Sequence, residues 1–296
     1  MVHGLVIVGV DGSASGLAAA EAAAREASSR GAGLRVVHAL TMPAPLVASG
    51  VPAPGPPEAE LRRAARLTVA QAVARARTVA PHIAVSHVVI AAEPLTVLEA
   101  QSRSADLVVV GSRGMGGFIG LLAGSKAVHL AAHGSCPVLV VREPPRGDGP
   151  VVLGVDGSAA GRHAVGFAFA EAAWRNAPLL AVHCWTAWSG TSPSQEVAPP
   201  SANPSEALAE RAERLLSTTL AEARERHRDV TVRREVVHGG SREALIEASR
   251  SAQLLVVGAR GRGGFAGLLL GSVSQAVLHH AHCPVAVVRG ERRREA

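Results

Sequence analysis

The chain has 296 residues, of which 48% are hydrophobic and 2% aromatic, and its formal net charge is +6. This length predicts two domains of about 150 residues, each large enough to bury its own core. No apolar run approaches the roughly 18 residues of a membrane span, and the MVHGL start does not resemble a signal peptide. The three cysteines are too few and odd in number for a disulfide framework, so we expect a cytoplasmic protein. The basic residues alternate with glutamates, and tyrosine is absent, which argues against nucleic-acid binding.

The first half alternates between predicted strands and predicted helices. The strands are expected at Gly4–Val10, Leu34–Ala39, Ile83–Ile90, Leu107–Gly111 and Val138–Arg142. The helices are expected at Ala14–Arg30, Glu58–Val79, Pro94–Ser104 and Ser125–Ala132. The last two strands are unbroken runs of Val and Leu, as expected when both faces of a sheet are covered. This alternation predicts a parallel, doubly wound α/β sheet.

The second half repeats the pattern. Its strands are expected near Val151–Val155, Leu179–Cys184, Val230–Val237, Leu254–Gly258 and Val285–Arg289. Two long Pro-rich or Ser/Pro-rich loops, Met42–Pro57 and Ala187–Pro204, interrupt the halves at matched places. The predicted boundaries are residues 1–143 for the first domain, 144–150 for a linker, 151–290 for the second domain and 291–296 for a tail.

One glycine-rich motif occurs in both halves. Gly111-Ser-Arg-Gly114 precedes Gly124-Ser125 by nine residues, and Gly258-Ala-Arg-Gly261 precedes Gly271-Ser272 by the same interval. Of the 32 residues from Gly111 to Arg142, 18 match those from Gly258 to Arg289. An apolar run ending in aspartate, Asp11 or Asp156, lies ahead of each motif. The chain is therefore two copies of one domain.

The position of this motif suggests phosphate binding. It follows the carboxyl end of the fourth strand, where open α/β sheets bind ligands, and Gly-Ser opens the next helix. A helix start offers N–H groups and a positive dipole end, while glycines allow close approach or a positive φ. Ser125 and Ser272 are expected to cap the helix, to donate to phosphate, or to do both. The alternative is a turn that only links strand to helix, but its repetition with an aspartate in both halves favours nucleotide binding.

Other residues allow weaker interpretations. Lys126 either adds charge for a phosphate or is a solvated lysine, and both interpretations stay open. The sequence Gly120-Leu-Leu-Ala-Gly-Ser-Lys126 has the wrong order for a Walker loop. His279, His280, His282 and Cys283 could suggest a metal site, but adjacent histidines on a helix diverge and the first half keeps only His133 and Cys136, so we predict no metal site there. No Ser/His/Asp or Cys/His set recurs in the two halves, which argues against a hydrolase.

Four features together resemble the universal stress protein family. They are Val-Asp-Gly-Ser after the first strand, a histidine near the end of the second (His38 and His183), the glycine motif, and Cys-Pro-Val before the last strand. The likeness covers nearly the whole chain and indicates a tandem, two-domain, ATP-binding member. It implies two Rossmann-like domains, each with a five-stranded parallel sheet of order 3-2-1-4-5, helices on both faces, and ATP with Mg²⁺ near strands one and four.

The resemblance also implies roles for individual residues. Asp11 and Asp156 would lie near the ribose and the metal or phosphates. The adenine would face the backbone of Gly9, Val10, Ala39, Gly154, Val155 and Cys184. Val110 and Val257 would pack on the nucleoside. The ribose and phosphates would follow Gly111, Arg113, Gly114, Gly124, Ser125, Lys126, Gly258, Arg260, Gly261, Gly271, Ser272 and Val273.

The resemblance implies a nucleotide-dependent regulator or sensor in stress response, not an enzyme, with protein partners that the sequence does not identify. We expect the halves to pair about a pseudo-two-fold axis, and a homodimer is compatible with this arrangement. Two alternatives stay open. One is a slow ATPase or phosphotransferase, including self-phosphorylation, and the other is a scaffold that binds no nucleotide.

Overall fold

A computed structural model describes residues 4–42, 46–48, 51–53, 57–114, 124–142, 148–186, 204–261 and 269–290. The chain divides into two compact units, Met1–Arg142 and Glu143–Ala296. The predicted tail at residues 291–296 lies outside the described residues, as does the predicted linker up to residue 147. The nine residues between Gly114 and Gly124, and residues 262–268 of the second motif, also lie outside them.

The first unit contains a five-stranded parallel sheet. Its elements in chain order are β1 Leu5–Gly9, α1 Ala14–Arg30, β2 Gly33–Ala39, β3 Leu46–Ala48, β4 Val51–Ala53, α2 Glu58–Val79, β5 Val85–Ile90, α3 Pro94–Ser102, β6 Leu107–Gly111, α4 Ser125–His133 and β7 Val138–Val141. The sheet has the order β5-β2-β1-β6-β7, and every neighbouring pair is parallel. When these five strands are numbered one to five by their order in the chain, their order in the sheet is 3-2-1-4-5, as expected.

The second unit repeats that topology. Its elements are β8 Val151–Gly154, α5 Arg162–Trp174, β9 Leu179–Trp185, α6 Pro204–Arg226, β10 Val232–His238, α7 Ser241–Ala248, β11 Leu254–Gly258, α8 Ser272–His280 and β12 Val285–Val288. The strands follow the order β10-β9-β8-β11-β12 and pair in parallel. The predicted α/β fold class is confirmed in both units. Among the described residues, none of the helices combines the length and the apolar composition needed to cross a bilayer.

Burial explains which strands are solidly apolar. In β1, Val6, Ile7 and Val8 are fully buried, and β7 and β12 are buried at every position. These strands have covered faces on both sides, so no polar alternation is needed. Exposed residues occur instead in β5 and β10, the first strands in the sheet orders given above. Six alanines of α1 are buried, and because they are small the helix can approach the sheet closely.

Four sequence predictions needed correction. The helix predicted over Pro94–Ser104 ends at Ser102, and the amide of Ser104 donates to Gln101 in a turn. The predicted strands at Ile83 and Val230 begin two residues later, at Val85 and Val232. The amides of Ile83 and Val230 donate to Ala80 and His227 in turns, and these bonds replace ladder bonds. The loop predicted over Met42–Pro57 contains the antiparallel pair β3–β4. The valines of these strands favour extended backbone, and the sequence interpretation considered only the six prolines.

Each unit has a buried ion pair near the end of its first helix. Glu26 and Arg30 are 3.3 Å apart, and Glu171 and Arg175 are 2.9 Å apart. The Glu171 side chain is only 2% exposed. Arg175 also donates to Gln253, which joins α5 to the segment before β11. A buried charge that loses its partner is costly, because the remaining charge keeps its desolvation penalty.

We therefore expect Glu171→Ala to lower the free energy of unfolding by about 3 kcal/mol. The matched control is Glu210→Ala, because Glu210 pairs with Arg214 on an exposed helix surface, where the side chains are 71% and 69% exposed. That change should cost less than about 1 kcal/mol. Urea denaturation followed by circular dichroism measures both, and equal losses in the two variants would contradict the expectation.

Candidate functional site

Each unit has one cavity at the carboxyl ends of its first and fourth sheet strands. In the first unit these strands are β1 and β6, which are neighbours in the sheet although their chain connections run in opposite directions. This is the switch point where doubly wound sheets form ligand sites. The cavity volumes are about 550 Å³ in the first unit and 520 Å³ in the second. Both fall in the size range of small-molecule sites.

A tight turn fixes the aspartate that follows the first strand. Oδ1 of Asp11 accepts hydrogen bonds from the amide of Ser13 (3.0 Å) and from its hydroxyl (2.6 Å). Oγ of Ser13 in turn accepts a hydrogen bond from the amide of Gly16 (3.0 Å), which caps α1. Gly12 makes the turn possible because its φ is +87°, a value that side chains with a Cβ rarely adopt. The aspartate is therefore held rigidly at the cavity.

The second unit builds the same turn with its own residues. Oδ1 of Asp156 accepts from the amide and the hydroxyl of Ser158, at 3.0 and 2.8 Å. The amide of Gly161 donates to Oγ of Ser158 at 3.1 Å. Because every bond has a counterpart in the first unit, the repeat extends from sequence to hydrogen bonding.

The other carboxylate oxygen is directed at the glycine motif. A Cβ built on Gly114 would lie 2.7 Å from Oδ2 of Asp11, and one on Gly261 would lie 2.7 Å from Oδ2 of Asp156. Real Cβ atoms essentially never come so close to an oxygen. Glycine at this place lets the motif approach the aspartate, and the two parts of the predicted site meet here.

A histidine from the second strand holds the end of the first. Nδ1 of His38 lies 2.8 Å from the carbonyl oxygen of Val10, and Nδ1 of His183 lies 2.6 Å from that of Val155. A carbonyl only accepts, so Nδ1 carries the proton in each ring. The bond fixes the peptide directly before the aspartate, which gives both histidines a structural role.

The helix after the glycine motif begins at the cavity. Ser125 is the first residue of α4 and Ser272 the first residue of α8, and both line their cavities. The first-turn N–H groups of a helix have no acceptor within it, and the helix dipole makes this end positive. The amides of Gly124 and Gly271 donate to the carbonyls of Ser112 (2.7 Å) and Ala259 (2.8 Å), which tie the helix start to the strand end.

Two of the roles that the sequence allowed at this helix start are excluded, namely the serine caps and a positive φ at the glycines. Ser125 and Ser272 do not cap their helices, because Gly124 and Gly271 occupy the cap positions and no side-chain cap bond forms. Each helix starts one residue earlier than a serine cap requires. The glycines also lack a positive φ, since Gly124 has φ −55° and Gly271 has φ −75°. Their common property is the open space that a missing side chain leaves.

Helix α3 supplies the apolar side of the first cavity, and helix α7 supplies the apolar side of the second. A Cβ on Gly9 would lie 3.0 Å from the methyl groups of Leu98, and one on Gly154 would lie 2.9 Å from a methyl group of Leu245. These glycines therefore permit close helix packing on the strand. The sequence interpretation missed both leucines, although the 147-residue offset between the glycine motifs also relates Leu98 to Leu245.

Among the described lining residues, each cavity has two cations and one aspartate, but the cavities differ in where the second cation comes from and in one thiol. The first has Arg113 and Lys126, while the second has Arg260 and Arg242. Arg242 is a missed residue that corresponds to Leu95, so the second cation enters each cavity from a different helix. Cys184 lines the second cavity where the first has Ala39. Burial raises the pKa of the Cys184 thiol, and a hydrogen bond with Ser241 partly opposes that shift.

The structure places all 22 predicted site residues around the two cavities, eleven in each. In the first cavity the additional lining residues are Gly16, Val37, Pro94, Leu95, Leu98, Ser112, Ala127 and Leu130. In the second they are Gly161, Val182, Ser241, Arg242, Leu245, Leu270 and Ser274. Most of them come from elements outside the glycine motif, and no sequence motif marks them. Ligand binding by these residues stays a prediction.

Comparison with known proteins gives consistent results. The model of the universal stress protein family matches residues 5–142 and 149–289. Universal stress protein Rv2623 of Mycobacterium tuberculosis is 37% identical over 304 residues, which cover 96% of each chain. A universal stress protein of Mycolicibacterium smegmatis is 38% identical over 300 residues, again 96% of each chain. The crystal structure of a universal stress protein from Archaeoglobus fulgidus has the same fold, with a TM-score of 0.65, 17% identity and 97% coverage of each chain.

Proposed function

The chain belongs to the universal stress protein family as a tandem of two such domains, and on this basis we propose that each domain binds one ATP. In this proposal the protein is a cytoplasmic, nucleotide-dependent regulator or sensor in stress response. The observation that carries the proposal is the duplication of one arrangement. In each unit a fixed aspartate, a close glycine motif, an arginine and a helix N-terminus surround one cavity.

The arrangement suits the three parts of ATP. The apolar side formed by Leu98 and Val110 would take the base, as Leu245 and Val257 would in the second unit. The first-turn N–H groups of α4 and the guanidinium of Arg113 would bind phosphate oxygens, which helix starts and arginines favour. The aspartate lines the same cavity beside the glycine motif, and there it would reach the ribose or a metal bound to the phosphates.

Mg²⁺ fits the same arrangement. Among the described residues that line the first cavity, Asp11 is the only acidic one, and Asp156 is the only one in the second. Mg²⁺ is usually held by one or two carboxylates together with substrate phosphates and water. Oδ1 of each aspartate accepts the bonds of the serine turn, and Oδ2, which lies on the side of the glycine motif, would contact the ion.

We propose binding without turnover. A phosphoryl-transfer enzyme needs a residue that positions or deprotonates the nucleophile. Among the described lining residues, the aspartate is the only carboxylate that could do so, and one of its oxygens is committed to the serine turn. The alternative is a slow ATPase or self-phosphorylating enzyme that uses the same aspartate. A phosphate-release assay on nucleotide-saturated protein distinguishes these alternatives.

Titration calorimetry with ATP and Mg²⁺ is expected to give two ATP per chain, since both cavities have the complete arrangement. Mass spectrometry of small molecules released from freshly purified protein should show adenine nucleotide. A variant with Asp11→Ala and Asp156→Ala is the control for binding elsewhere on the basic surface. Absence of binding at millimolar ATP would exclude the proposal and favour a scaffold without nucleotide.

A further inference from the structure

Three side chains of metal-ligand type form a cluster between α3 and α4 in the first unit. Glu99 of α3 and His129 and His133 of α4 each offer one ligand atom, and these atoms lie within 4.8 Å of one another. None of the three is among the residues that line the nucleotide cavity. We propose that this cluster, the α3–α4 cluster, is a site for a divalent transition-metal ion of the Zn²⁺ class.

The distances suit a metal ion. Nε2 of His129 is 3.0 Å from Oε1 of Glu99. Neighbouring ligand atoms in a tetrahedral zinc site are about 3.3 Å apart, given metal–ligand bonds of about 2.0 Å. An ion can therefore replace the hydrogen of the His129–Glu99 hydrogen bond, with small side-chain rotations. His129 and His133 are one helical turn apart, and their rings stack with centroids 3.9 Å apart, which brings the second imidazole to the same place.

The orientation of His133 provides a second, independent observation. Its Nδ1 lies 2.9 Å from the carbonyl oxygen of His129. Since a carbonyl can only accept, Nδ1 carries the proton, and Nε2 has the lone pair in the neutral ring. Histidines that bind metals usually donate their other ring N–H to a carbonyl or carboxylate in this way, because the bond fixes tautomer and ring orientation.

The donor set indicates the kind of ion. Two imidazoles and one carboxylate are a known zinc ligand set that leaves the fourth position to water. Imidazole favours Zn²⁺, Ni²⁺ and Cu²⁺, whereas Mg²⁺ and Ca²⁺ prefer oxygen ligands. The side chains of Glu99 and His129 are 34% and 43% exposed, so an ion reaches the cluster from solvent without opening the core. This site would therefore be separate from any Mg²⁺ bound with ATP.

The second unit lacks the cluster and so serves as an internal control. At the 147-residue offset, Glu99 corresponds to Ile246 and His129 to Ala276. Only His133 has a ligand-type counterpart, His280. A single histidine with an isoleucine and an alanine cannot form the site.

The test is a titration of Zn²⁺ into the full-length, untagged chain without nucleotide, followed by calorimetry. We expect one ion per chain, with affinity reduced at least about tenfold by His129→Ala, by His133→Ala and by Glu99→Gln. The control His280→Ala should bind as the unchanged protein does. Zn²⁺ should also raise the thermal midpoint of the unchanged chain but not that of His133→Ala.

Two results would overturn the proposal. One is unchanged Zn²⁺ affinity in both His133→Ala and Glu99→Gln, and the other is an equal loss in His280→Ala. If an alanine variant folds poorly, Glu99→Gln decides the question, because it keeps the side-chain shape and removes the charge. The titration contains no ATP, so its outcome is independent of the proposed nucleotide function.

Discussion

Gly124→Asp is expected to abolish ATP binding in the first domain while its stability stays the same or rises slightly. Gly124 is the cap residue of α4 with an extended backbone (φ −55°, ψ 140°), which suits an aspartate cap. Among the described residues, a Cβ at this position meets only the Ser112 carbonyl oxygen, at an ordinary 3.4 Å. The new carboxylate would accept a first-turn N–H bond and interact favourably with the helix dipole. It would also place negative charge where phosphate is proposed to bind.

The expected loss of affinity is at least about 100-fold, because hydrogen bonds to charged groups contribute roughly 1.5–3 kcal/mol each and repulsion adds to the loss. Calorimetry should give one ATP per chain for Gly124→Asp, one for Gly271→Asp and none for the double variant. Gly124→Ala measures the steric contribution to the loss of ATP affinity, since it adds a methyl group without charge. Two normal sites in Gly124→Asp would show that α4 does not bind phosphate, whereas a large drop in thermal midpoint would show that the cap geometry is wrong.

Sequence reasoning was most successful where the site depends on neighbours along the chain. The turn at Asp11 and the glycine motif are local patterns, and their repetition in the second half made coincidence implausible. The strand order followed from the family resemblance, since periodicity alone does not fix which strands pair. The prediction of serine caps was wrong, and the reason is also local. A shift of one residue in the helix start changes a serine from cap to first helical residue, and the sequence does not determine that shift.

Contacts between distant elements were the main omission. Leu98 and Arg242 reach the cavities from helices that have no recognisable motif, so only packing shows that they line a site. The α3–α4 cluster is a similar case, because Glu99 and His129 are 30 residues apart. The sequence interpretation considered instead the histidines His279, His280 and His282, which are close in the chain, but the adjacent His279 and His280 diverge on α8. The pairing of the two halves and the homodimer stay predictions.

The second large expected effect concerns the cysteines. In the folded protein an alkylating reagent such as iodoacetamide should label Cys184 first and leave Cys136 and Cys283 unlabelled. Cys136 and Cys283 are 7% and 2% exposed. Burial also raises the pKa of the Cys136 thiol to about 12, so almost no reactive thiolate forms near pH 8. Cys184 is half-buried and lines the second cavity.

The rate at which Cys184 is labelled is expected to rise with pH. The thiolate is the nucleophile, and burial raises the pKa of Cys184 above the ordinary value of 9.0. Labelling near pH 8 should therefore be slower than for an exposed cysteine, and its rate should keep rising as the pH passes 9. A rate that levels off below pH 8 would mean a lowered pKa and would contradict the assigned burial.

ATP should protect Cys184 from labelling, because bound adenine would cover the end of β9. By mass action, an ATP concentration ten times the dissociation constant should slow labelling about tenfold. Peptide mass spectrometry measures the rate at each cysteine separately. Cys184→Ala is the matched control, since the first cavity has Ala39 at this position, and this variant should still bind two ATP. Protection that disappears in Gly271→Asp and persists in Gly124→Asp would assign the effect to the second cavity. The reverse pattern would mean that Cys184 does not face the nucleotide bound in its own domain.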